Sequence, residues 1–144
     1  MFRSLAIVLA LSTIVTAKDV TLLVIEKLNA GRKGPPYDNT VIVMNLAEDA
    51  KLIDVMNKAQ SEGTFSFDYT MHIQWGAYIT TVNGLYADTT AKQYWQIMGG
   101  PRMKPTQFGA SSYVPADHEK VLFRLVTWDR EPCPDPTDDF DNLQ

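Results

Sequence analysis

The chain has 144 residues, with 13 basic and 17 acidic side chains, a formal charge of -4, 45% hydrophobic residues and one cysteine. That length accommodates one ordinary domain and excludes a large multi-lobed enzyme. The acidic excess lies at one end: residues 129–144 carry Asp129, Glu131, Asp135, Asp138, Asp139 and Asp141 against Arg130 alone, whereas acids and bases balance over 18–128. Neither nucleic acid nor an anionic membrane surface therefore has an electrostatic reason to bind.

Met1 to Ala17 reads as a secretory signal. Arg3 supplies the positive start, Leu5 to Val15 an almost unbroken apolar run, and Val15-Thr16-Ala17 a small residue before the cleavage point at Lys18. The expected product is a secreted, extracellular domain spanning 18–128, since no later apolar stretch is long enough to cross a bilayer. Residues 129–144, rich in proline and acid with little to bury, are expected to form a disordered tail. Its Cys133 lies between Pro132 and Pro134, and with no second cysteine in the chain it suggests a disulfide-linked dimer or a free thiol.

Val20 to Ile25 predicts a first strand, ended by Asn29-Ala30-Gly31 and the Pro35-Pro36 loop, and Thr40 to Met44 predicts a second. The period then changes. Asn45 with Glu48 resembles a capping box, Leu52, Ile53, Met56 and Ala59 recur at helical spacing, and Gly63 ends the run, which predicts an amphipathic helix of about four turns. Phe65, Phe67, Tyr69, Met71 and Ile73 alternate with polar residues as in a half-buried strand, interrupted at Trp75-Gly76. Tyr78 to Val82 resumes, Asn83-Gly84 suits a tight hairpin turn, and Leu85-Tyr86 leads away. Gln93 to Met98 and Val121 to Trp128 predict the remaining strands. The fold class is α+β: a single small domain of mostly antiparallel sheet with one amphipathic helix packed on one face.

The residues that would carry enzymatic chemistry are sparse. His72 falls on the polar side of a predicted strand and His118 in a predicted turn, both reading as solvated surface histidines, and neither has a His or Cys at metal-ligand spacing. No phosphate loop, serine elbow or HExxH helix occurs, and the tail lacks the glycine and terminal glutamate of a calcium loop. A binding module, not an enzyme, is expected, with no metal site. Trp75, Tyr78, Tyr94, Trp95, Tyr113 and Trp128 all lie in the second half, several beside glycines, so some of them can offer an apolar platform next to accessible main chain while others fill the core.

The run from Trp75 to Gly84, then Lys92-Gln93-Tyr94-Trp95-Gln96-Ile97-Met98, then Gly109 to Pro115, then Val121 to Trp128 resembles the C-terminal β-domain of the cobalamin carriers, the family of transcobalamin, intrinsic factor and haptocorrin. The resemblance covers about Val20 to Trp128, with Tyr-Trp-Gln as its most specific block. In that family the vitamin is sandwiched between a helical barrel and this domain. The resemblance implies a corrinoid as the carried ligand, contacted by two segments: Trp75, Gly76, Ala77, Tyr78, Ile79 and Thr80, and Tyr94, Trp95, Gln96, Ile97, Met98 and Gly99. Rings would give apolar contact, and main chain with Gln96 would give hydrogen bonds. Trp95 and Gln96 are the preferred contacts, while Tyr94 stays open between ligand and core, because it and Trp95 cannot share a strand face.

No counterpart of the helical barrel occurs in the sequence. A lone domain covers one side of the corrin, so a separate helical-barrel partner or a dimer through Cys133 is implied for tight binding. The alternative is a secreted protein-interaction or extracellular-matrix module that keeps the fold but not the ligand.

Overall fold

The computed structural model describes residues 17–74, 76–106 and 109–128. The expected signal segment before Ala17, the acidic tail with Cys133, and Trp75 lie outside the described residues. Two sheets and one helix make up the domain. Strands β1 (Ala17–Ile25), β2 (Asn39–Ala47), β6 (Gln93–Gly99), β7 (Lys104–Pro105) and β8 (Glu119–Thr127) form the larger sheet in the order β2-β1-β8-β6-β7. Strands β3 (Phe67–His72), β4 (Gly76–Val82) and β5 (Leu85–Tyr86) form the smaller, in chain order. Every pairing is antiparallel except β1 with β8, which run parallel at the centre.

That central position explains the composition of β1 and β8. The 3.3–3.4 Å strand rise alternates side chains between two faces, and here both faces are covered. Val20, Leu22, Val24, Val121, Phe123 and Leu125 enter the main core, while Leu23, Ile25 and Leu122 join Met98 in a smaller cluster behind the sheet. Val121 to Val126 are buried continuously, because β8 lies between β1 and β6 and both its faces are covered, one by the main core and the other by the smaller cluster with Ala30, Tyr37 and Met103.

The helix α1 (Leu52–Ser61) starts later and is shorter than its spacing predicts. Asn45 is not its cap but part of β2: Lys18 faces Leu46 and Val20 faces Val43, so β2 carries an extra residue there, and Asn45 takes a positive φ of 57° with its N–H donated to Asp19 Oδ1 at 3.1 Å. Asparagine tolerates that conformation, which is why a capping-type residue appears at a bulge. The true first turn is satisfied by the tertiary fold. Leu52 and Ile53 donate to the carbonyls of Tyr113 and Ala110, at 2.7 and 2.9 Å, and Asp54 accepts from the Lys51 N–H. At the other end, Gly63 N–H to Gln60 O and Thr64 N–H to Ala59 O close a Schellman motif. Leu52, Val55, Met56 and Ala59 are buried in the main core cluster.

The alternating run from Phe65 to Ile73 divides in two. Phe65 and Phe67 are buried, with Phe65 5.7 Å from Phe123 and 6.1 Å from Phe67, but Tyr69, Met71 and Ile73 are exposed. The hairpin of β3 and β4 carries them out past the core. Asn83-Gly84 forms the two-residue turn expected of it, both residues at positive φ between paired Val82 and Leu85.

Candidate functional site

The two sheets meet at β4 and β6 without joining. Among the described residues no backbone hydrogen bond links these strands, so a seam of open strand edge runs between them. A groove of about 370 Å³ occupies it, lined by Ala77, Tyr78 and Ile79 from β4, Tyr94, Trp95, Gln96 and Ile97 from β6, and Pro105, Thr106 and Gly109 beyond. Seven residues of the two predicted segments thus face one space. Gly76, Thr80, Met98 and Gly99 flank it without lining it.

Alternation on β6 decides what each residue offers. Trp95 points inward: it is 4% exposed, sits in the main core, and its indole N–H donates to Leu85 O at 3.2 Å. Its main-chain groups lie in the plane of the sheet, on the edge away from β8. Leu125, which faces it on β8, gives its carbonyl to Asn29 N–H, and the neighbouring β6 residues Gln93 and Ile97 bond Asp88 and Thr106 away from β8. Backbone groups of alternate residues share an edge in an antiparallel ladder, so the Trp95 N–H and C=O lie on the edge of β6 away from β8, the edge that borders the groove. Gln96 lies on the opposite face, where its amide oxygen accepts from Arg124 Nε at 2.7 Å. Met98, on that same face, is buried in the smaller cluster.

The rings at the groove are tyrosines. Tyr94 is half-buried and meets Trp128 edge-on at 5.6 Å, with Trp128 itself exposed. Burial pushes the Tyr78 phenol above its ordinary pKa, and the nearby Tyr86 and Tyr94 phenols push it the same way, which places the three together. Trp128, which the sequence does not single out as a contact, belongs to this patch through a backbone bond from its N–H to Lys92 O at 3.0 Å.

A loop at 109–113 fixes the groove from beneath. Ser111 Oγ accepts the Ala77 N–H at 2.8 Å, and Gly76, at φ +75°, leaves the space for it: a Cβ there would stand 2.9 Å from that oxygen. At the far end Tyr113 donates to Glu119 Oε2 at 2.6 Å directly over Gly99, whose added Cβ would lie 2.8 Å from the phenol oxygen. The glycines of both predicted segments are therefore required by packing, a reason independent of any ligand. Burial first, and the Glu119 hydrogen bond and charge next, raise the Tyr113 pKa well above its ordinary 10.0. A raised pKa contributes stability that is complete below the ordinary tyrosine range and is lost as the pH rises through the folded value. Stability should accordingly fall from about pH 10 upward, and Tyr113→Phe should flatten that alkaline limb when urea unfolding is followed against pH.

No group of three or more potential metal ligands occurs among the described residues, and no helix among them is long and apolar enough to cross a membrane. The profile of DUF4430, described as a domain of unknown function, matches residues 49–127. The chain belongs to this family. It is also homologous to the cobalamin carriers: 35% identical to human transcobalamin-1 over 61% of the chain, 31% to human transcobalamin-2 over 65%, and 29% to human cobalamin binding intrinsic factor over 62%. The matched part is about a fifth of each relative, 19, 20 and 21% respectively. Among solved structures, haptocorrin in complex with Cbi superposes with a TM-score of 0.61 at 27% identity, covering 80% of this chain and 26% of that one. A Ruminococcus gnavus protein shares the fold, with a TM-score of 0.50 at 24% identity, and there the match takes in 95% of that chain.

Proposed function

We propose that this DUF4430 domain is a secreted corrinoid-binding module, with cobalamin as its carried ligand and the β4–β6 groove as one face of the site. The supporting observation is the groove itself, which Tyr78, Tyr94 and Trp95 line together, with the Trp95 main chain on the bordering edge of β6, in a chain homologous to proteins named for cobalamin. A corrinoid is a broad apolar ring with a rim of amide side chains. Its rim amides can accept from the Trp95 N–H and donate to the Trp95 C=O, while the tyrosines remove ring area from water. The role is binding, not catalysis. Gln96 enters through its hold on Arg124, and Trp95 through its backbone; their side chains are committed elsewhere in the fold.

A groove of this size lies near the lower end of small-molecule pockets, about 300–1,000 Å³, and is far too open to enclose a corrinoid. Tight binding therefore calls for a second face from a separate helical-barrel partner or another copy. Titration of the purified protein with cyanocobalamin and aquocobalamin should change tryptophan emission, because Trp128 touches Tyr94. Tyr94→Ala and Tyr78→Ala should each weaken binding by about tenfold while leaving the fold intact. Absence of binding, both alone and beside a helical barrel taken from a relative, would overturn the proposal and leave the protein-interaction module as the better reading.

A further inference from the structure

We infer that β3 is a pairing edge for a second copy of this chain, joining two three-stranded sheets into one of six. The inference stands apart from the groove, which lies on the opposite edge of β4. It begins with a contrast between the two long edge strands. Open strand edges invite pairing and are usually blunted by bulges and lysines. On β2 both devices are present: the bulge at Asn45, and Lys58 Nζ donating to the Met44 and Asn45 carbonyls. On β3 the register shift between Asp68 and Tyr69 puts its extra residue on the inner strand β4, not on the open strand, and the first residue is covered, its N–H donating to Gln60 Oε1 at 2.9 Å. From Asp68 to His72 the strand carries no lysine and no proline, and among the described residues β4 is its sole strand neighbour.

One face of that free strand is apolar and open to solvent. Tyr69, Met71 and Ile73 are 44, 70 and 104% exposed, continuing outward from Phe67, whose ring stacks on Tyr69 at 5.9 Å. Such a row marks an interaction surface, and its sequence is self-complementary. An antiparallel pair centred on Thr70 sets Tyr69 against the partner's Met71 on the apolar face, a favourable sulfur–aromatic match. On the polar face it sets the Asp68 carboxylate against the partner's His72 and Thr70 against itself, both of them stabilising cross-strand pairs. The same strand therefore supplies both halves of the interface.

Sedimentation equilibrium on the full chain carrying Cys133→Ser, which removes any disulfide route, tests this. The expected result is a reversible dimer, and Met71→Lys should weaken it by about tenfold or more. The register has its own signature. Thr70 faces itself with Cα atoms about 4.5–5.5 Å apart, within disulfide reach, so adding Thr70→Cys should give a covalent dimer under mild oxidation, and Glu62→Cys should not. Both substituted side chains on β3 are exposed, and melting curves will show whether the fold is kept. A chain that stays monomeric, a dimer indifferent to Met71→Lys, or a Thr70→Cys chain that crosslinks no faster than the Glu62→Cys control would each overturn the inference, whatever other protein β3 contacts.

Discussion

Trp95→Ala should strongly destabilise the domain, not merely silence a ligand site. The ring is buried among the main-core side chains and its indole N–H holds Leu85 O, so truncation leaves a large cavity and an unsatisfied carbonyl. Losses of about 3–5 kcal/mol follow from such a change in a core, a large fraction of what a domain of this size has. Trp95→Phe, which keeps most of the volume, should cost markedly less and retain the groove, since the groove uses the Trp95 backbone. Urea unfolding of the two variants, read with the corrinoid titration, separates the ring's structural role from the main chain's proposed binding role. Equal, small losses for both would show that the ring is not part of the core.

Lys18→Met should carry the second large cost. Lys18 is only 3% exposed, and its ammonium donates to Ala50 O at 2.9 Å and Pro115 O at 2.6 Å. It thereby ties the first strand to the segment before α1 and to the loop that follows Tyr113. Methionine keeps the apolar stem but leaves two carbonyls without their donor, which costs about 2–4 kcal/mol. The loss should appear as a lower melting temperature with an unchanged dependence on denaturant. Were the expected signal removed, cleavage after Ala17 would keep Lys18, whereas cleavage one residue further would remove it. Mass measurement of the chain made in a secreting host would show which end is made, and a stable product beginning at Asp19 would remove Lys18 from the account.

Much of the architecture is written locally. The apolar runs of β1 and β2, the helical spacing of Leu52, Met56 and Ala59, and the Asn83-Gly84 turn each depend on residues close in sequence, so their periods survive in the bare chain. Boundaries that depend on distant partners do not. Asn45 has the chemistry of a helix cap and of a bulge alike, and what decides between them is Asp19 from β1 together with the Tyr113 and Ala110 carbonyls that satisfy the helix. Tyr69, Met71 and Ile73 alternate as cleanly as Phe65 and Phe67, and alternation alone cannot tell that the outer half of the hairpin lies past the core and leaves these three exposed.

The candidate site shows the same division. The Trp-Gly and Tyr-Trp-Gln blocks draw attention to β4 and β6 from sequence, and the fold brings seven of those residues to one groove. Their orientation is another matter. Strand alternation dictates that Tyr94 and Trp95 oppose each other, but which one faces the core depends on where β8 and the smaller sheet lie.

By itself, then, the sequence determined one α+β domain, its strand and helix periods, its balanced charge over 18–128 and the two segments that meet at the groove, because these rest on local pattern and composition. Only the tertiary structure decided that Trp95 gives its ring to the core while its main chain borders the groove, that Gln96 accepts from Arg124, and that Lys58 caps β2 carbonyls while no described lysine does so on β3. Each of those outcomes is set by contacts between residues far apart in the chain, and no local period encodes which partner a side chain will meet.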